Sequence, residues 1–137
     1  MRYSRGLAEI VLIVHDVPRA ARFYREVVGL VPHTEPDDAW AWFWAGEPGV
    51  NQRVALHKGT LLFEGQAPPF NAREGWGPIH YAFDVPKGKL EAAIENVRSH
   101  DVELFGPVRF DWMSAIAYYF YDLDGNLLEF WTPDEEG

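Results

Sequence analysis

One order of elements runs twice along this chain, and that repetition limits the folds open to it more than any single motif does. "LAEIVLIV" is short, apolar and rich in β-branched residues, which makes it a strand. "HDVPRAARFYREVVGLVP" follows as a helix. Pro18 suits its first turn and Gly29 the position just past its end. Ala20, Phe23, Tyr24, Val27 and Val28 recur at the three-and-four spacing of one apolar face. Three strand candidates come next, "WAWFWAG", "RVALHK" and "TLLFE", with a hairpin expected at Lys58-Gly59. A loop rich in Pro and Gly occupies residues 65–78, and then the order restarts. "IHYAFDV" is a strand, and "KGKLEAAIENVRSHD" is a helix with Leu90, Ala93, Ile94 and Val97 on one face. "VELFGPVRF", "SAIAYYFYD" and "NLLEFW" are strands, the last two joined by a turn at "DLDGN". Both halves also carry the string "DVP", at Asp16 and at Asp84. The chain therefore reads βαβββ, loop, βαβββ. The expectation is a single α+β domain over residues 1–137, built from modules spanning 5–66 and 77–133.

A chain of 137 residues can bury one real core but not two ordinary ones. It has no cysteine, which excludes disulfides, thiolate metal sites and a cysteine nucleophile, and fits a reducing cytoplasm. The apolar run near the N-terminus is broken by Glu9 and ends in His-Asp, so it reads as a strand and not a signal peptide. No run is long enough to span a membrane. A net charge of -9 argues against nucleic acid, whose phosphates need a basic surface, and would suit a metal ion or a cationic ligand. GxGxxG, P-loop, HExxH and GxSxG patterns are all absent.

In the last strand, Glu129 interrupts an otherwise apolar run, and a lone buried carboxylate is costly unless something pairs with it. Side chains alternate across a strand. Glu9 shares a face with Val11 and Ile13, His80 with Ala82 and Asp84, and Glu129 with Leu127 and Trp131. Glu64 shares one with Leu62 and Thr60. The first strand of each half carries an ionisable residue at nearly the same place, Glu9 and His80, the last strand of each half carries Glu64 and Glu129, and a pseudo-two-fold repeat would bring the four together.

The strings "AEIVLIVHDVPRAARFYREVVGLVP", "PIHYAFDV" and "YYFYDLDGNLLEFW" resemble the vicinal oxygen chelate superfamily, which includes glyoxalase I, bleomycin-resistance proteins, fosfomycin-resistance enzymes and extradiol dioxygenases. The resemblance covers nearly the whole chain. It implies that the two modules form an open, cup-shaped mixed β-barrel. It also implies a metal set at Glu9, Glu64, His80 and Glu129, with Glu129 and Glu64 as the carboxylates that could move a proton. The first position is often His in metal-binding members; here it is Glu9. A homodimer is expected too, since pairing of domains is common in the superfamily. The donor chemistry is compatible with this on its own terms. One imidazole and two or three carboxylates suit a divalent ion such as Mn, Fe, Mg, Ni or Co, with Zn also possible. Open positions would remain for a substrate bearing two neighbouring oxygens.

Each of these residues also has a plainer reading. Glu129 or Glu9 alone would be an ordinary solvated strand residue, and Glu64 borders a loop. His15, His33 and His100 are not read as ligands, His15 and His100 because they adjoin Asp at element ends, where exposure is the default. His57 precedes the hairpin and alternates with the Glu64 face, so it is read as pointing away from the site. Trp40, Trp42 and Trp44 share one strand face, either as core or interface packing or, with Trp112, as an aromatic wall for a ligand. Two functions remain in view. One is a metal-dependent lyase, isomerase or dioxygenase acting on a small oxygen-chelating substrate. The other is a metal-free protein of the bleomycin-resistance type that sequesters a ligand.

Overall fold

The computed structural model describes residues 2–3, 7–50, 52–58 and 80–133. The chain divides into two compact units, Met1–Gly77 and Pro78–Gly137. Each holds one four-stranded mixed sheet and one main helix, in the order βαβββ.

In the first module, β1 is Glu9–Val14, α1 is Val17–Phe23, β2 is Val31–Pro32, β3 is Trp40–Trp44 and β4 is Arg53–Lys58. The sheet order is β1-β4-β3-β2, with β1 and β4 parallel and the other pairs antiparallel. Asp16 caps α1, its carboxylate accepting from the Arg19 N–H at 3.1 Å, and Pro18 sits in the first turn. The helix widens into a π-helical segment over Tyr24–Val28 and stops at Gly29, whose φ of 87° favours glycine. One face of the sheet (Leu12, Val14, Ala41, Phe43, Val54 and Leu56) is buried on the side of α1, which packs on β3 and β4. The helix contributes Val17, Ala20, Phe23, Tyr24 and Val27 to that core.

In the second module, β5 is His80–Asp84, α2 is Lys87–Ser99, β6 is Phe105–Phe110, β7 is Ala115–Tyr121 and β8 is Leu127–Pro133. The order β5-β8-β7-β6 repeats the first sheet, again with the first and last strands parallel. Ile94 and Val97 of α2 are buried along with Phe120, Leu128 and Phe130 of the sheet. The turn into β8 is organised by the buried Asp122. It accepts from the N–H groups of Asp124 (2.9 Å) and Asn126 (2.8 Å) and from the Asn126 side-chain amide (2.8 Å). In β6 the register shifts between Phe105 and Val108, where a Cβ on Gly106 would lie 2.8 Å from the Ala117 carbonyl oxygen.

The two βαβββ modules agree with the sequence reading, with two refinements. Among the described residues the strand beside β1 and parallel to it is Arg53–Lys58, and with β3 and the short β2 it gives three strands after the helix. "TLLFE" and the Lys58-Gly59 hairpin lie outside the described residues, wholly or in part. The two "DVP" strings are not equivalent: Asp16 caps a helix, whereas Asp84 ends β5 and Pro86 occupies the cap position of α2. Among the described residues, no helix is long and apolar enough to cross a membrane.

Candidate functional site

In module two, the parallel pairing of β5 and β8 sets His80 opposite Leu127 and Ala82 opposite Glu129. His80 and Glu129 therefore share one sheet face, one pleat apart. His80 Nε2 lies 3.6 Å from Glu129 Oε1, with the imidazole half exposed and the carboxylate buried. On the other side, the antiparallel register places Tyr119 of β7 directly across from Glu129. The Tyr119 hydroxyl donates to the Glu129 carboxylate. Burial first, and then that bond and the negative charge, push the Tyr119 pKa up to about 12. The His80 ring stands edge-on to Tyr119, with centroids 6.0 Å apart. Glu129 thus has a phenol on one flank and an imidazole on the other, which answers the cost of burying it.

Module one presents the corresponding face differently. Glu9, Val11 and Ile13 of β1 align with Arg53, Ala55 and His57 of β4, and these with Trp44, Trp42 and Trp40 of β3. The indole N–H of Trp42 donates to Glu9 Oε2 at 3.0 Å, reaching across the strand that carries Ala55. Trp40 stacks on Trp42 (centroids 5.0 Å, planes 4° apart) and on His57 (4.0 Å, 23°). His57 Nδ1 lies 3.1 Å from the Ala39 carbonyl oxygen. At the Glu9 end, Trp44 packs against His33 at 4.5 Å, and the Arg53 guanidinium lies 5.9 Å from the Trp44 ring centre. If the strand starts are matched, Glu9 with His80 and Arg53 with Leu127, Ala55 takes the place that Glu129 holds in module two.

The profile of the Glyoxalase/Bleomycin resistance protein/Dioxygenase superfamily matches residues 6–130. The chain belongs to this superfamily. Among solved structures, a protein from the mobile metagenome of V. pseudocholerae is 30% identical, covers 96% of each chain and superposes with a TM-score of 0.69. A lactoylglutathione lyase from Agrobacterium tumefaciens is 19% identical over 97% of each chain, with a TM-score of 0.70. A genomically encoded fosfomycin resistance protein from Listeria monocytogenes is 21% identical over 94% of this chain and 93% of its own, with a TM-score of 0.66. No curated protein matches significantly.

Of the residues singled out in this glyoxalase-superfamily chain, the structure brings His80 and Glu129 together. Glu9 lies in module one, exposed and held by Trp42. Glu64 lies outside the described residues. Trp40, Trp42 and Trp44 share a face, as alternation required. Trp112 sits in a short 3-10 turn, 81% exposed, with Phe110 as its ring neighbour. One reading is corrected: His57 lies on the face of Glu9, because its strand pairs with β1 residue for residue. Sequence reasoning passed over Tyr119, although ten residues separate it from Glu129 across one hairpin and the alternation of the two strands would have placed them opposite. Among the described residues of either module, no three His, Asp or Glu side chains gather closely enough to enclose an ion. The His80–Glu129 pair nonetheless fits two corners of such a site. Donors about 2.0–2.2 Å from a common ion stand about 3–3.5 Å apart, near the separation seen here.

Proposed function

We propose that this chain is a divalent-metal enzyme of the lyase, isomerase or dioxygenase kind, acting on a small substrate that chelates through neighbouring oxygens. The observation that carries the reading is the buried Glu129 carboxylate beside His80, on a strand face not covered by its own module's helix. His80 and Glu129 would hold the ion, and the superfamily resemblance makes Glu9 and Glu64 the candidates to complete the set. When bound, a divalent ion would polarise a substrate oxygen and stabilise the charge that builds on it. The protein's own groups do the rest. Tyr119 fixes one edge of Glu129 by donating to it, leaving the carboxylate oriented toward His80. His80, half exposed, is the member of the pair that solvent and ligand can reach. Glu129, or Glu64 in the same role, is the base that would take a proton from carbon or water. The working form is proposed to be a cytoplasmic homodimer, the commonest closed assembly.

The test is metal content and affinity in protein purified without chelator, followed by the same measurement on Glu129→Gln. Loss of binding with retention of the folded state supports the reading. Absence of any bound Mn, Fe, Ni, Co, Zn or Mg in the parent protein removes it.

A second reading rests on a different observation, the aromatic face of module one. Stacked Trp40 and Trp42, with Trp44 as a further contact, would bind a planar ligand without metal, and Glu9 would attract a positive charge on it. Quenching of Trp fluorescence by bleomycin in metal-stripped protein, lost in Trp42→Ala, would support this second reading. Unchanged fluorescence would exclude it for that ligand.

A further inference from the structure

On the opposite side of module one from Glu9, a cavity of about 260 Å³ opens between α1 and the segment that follows β2. Nothing in the function proposed above uses it. The buried Phe43 is among the residues that line it. Three prolines, Pro18, Pro32 and Pro36, line its walls. Proline fixes its own φ, so these walls are preorganised and ordering them on binding costs little. The polar groups at the rim are Arg22 and Arg25 from the helix, and Thr34 and Glu35 from the facing segment.

Two arginines line this one cavity in a chain with 12 basic against 21 acidic residues. Arg22 makes no ion pair with any described residue. Among the described residues the ion pair of Arg25 is with its exposed neighbour Glu26, at 3.3 Å, a contact that is easily exchanged. Arg22 lies in the α-helical turn and Arg25 in the π-helical segment that begins at Tyr24, a distortion that recurs at functional sites. An apolar lining with a few polar groups is the usual chemistry of a small-molecule pocket. A guanidinium selects planar or tetrahedral oxyanions through paired N–H donors. The Thr34 hydroxyl adds a donor, and Glu35 disfavours ligands of high negative charge.

We propose that this cavity is a second ligand site, for a small organic anion that carries one carboxylate or phosphate on an apolar body. The apolar part packs on Phe43 and the prolines, and the anionic head meets Arg22 and Arg25.

The test is amide-resolved NMR of the full chain, titrated with benzoate, phenyl phosphate and, as a neutral control, benzyl alcohol. Saturable shifts confined to residues around Arg22, Arg25, Thr34 and Phe43, produced by either anion and not by the alcohol, are expected. Comparison of the two anions tells which head group is preferred. Arg22→Gln and Arg25→Gln should each weaken binding at least tenfold, while the amides of His80 and Glu129 stay unmoved throughout. Thermal unfolding of both variants checks that the module is intact. Absence of saturation at millimolar ligand, equal shifts with benzyl alcohol, or unchanged affinity in both folded variants would overturn the proposal.

Discussion

Glu129 is tolerated in an apolar strand because two partners reach it, Tyr119 by a hydrogen bond and His80 at 3.6 Å. Each partner carries a separate expectation. Losing an outer partner of a metal ligand typically costs about 10–100-fold in metal affinity, so Tyr119→Phe should fall in that range and Glu129→Gln at or beyond its upper end. Calorimetric titration of the variants with Mn measures both. Tyr119 also gives a prediction in pH. Its pKa is raised by folding to about 12 from the ordinary tyrosine value of 10.0, so the folded state keeps a proton that the unfolded state releases. The stability this contributes is therefore whole below pH 10 and lost as pH rises toward 12. Absorbance of phenolate in metal-free protein should show a late-titrating tyrosine that Tyr119→Phe removes. A titration complete by pH 11, without that late step, would contradict it. Asp122 is a second buried carboxylate among the described residues, and its role is structural. Asp122→Ala leaves three donors of the turn without their acceptor and should cost about 2–3 kcal/mol in urea unfolding.

Among the elements, α1 shows what the sequence could and could not convey. Its start and stop were legible because they depend on local chemistry, Pro18 in the first turn and Gly29 after the end. Asp16→Ala should remove the cap and cost about 1 kcal/mol, read as a lower midpoint in thermal or urea unfolding. The π-helical segment was not legible, since the spacing of Phe23, Tyr24, Val27 and Val28 fits an α-helix equally well. The two-residue β2 was missed because so short a strand leaves no alternation to read. His57 was misplaced for a related reason. Which face a residue takes depends on which strand its own strand pairs with, and the parallel pairing of β1 with β4 joins segments far apart in sequence. The same non-local pairing puts Ala55 where module two has Glu129. A search for ionisable residues could not have noticed an alanine there.

At the scale of the whole chain, the repeat of βαβββ order was the strongest signal in the sequence, and two sheets of identical strand order bear it out. The modules share topology but not chemistry. One carries a buried Glu beside a His and a Tyr; the other carries stacked indoles that engage a Glu. On the proposed reading the duplicated halves would divide the labour: module two would supply ion-binding side chains and module one an aromatic surface. Light scattering at micromolar protein should report a dimer, and a mass of one chain would count against that assembly. The central claim, that His80 and Glu129 are ligands of a divalent ion, is tested most directly by isothermal titration. Mn and Ni would be added to metal-stripped protein, to His80→Ala and to Glu129→Gln, with circular dichroism confirming that each is folded. The account predicts saturable binding of one ion per chain to the parent protein and loss of that binding in both variants. No binding to the parent protein, or equal binding to all three, would contradict it.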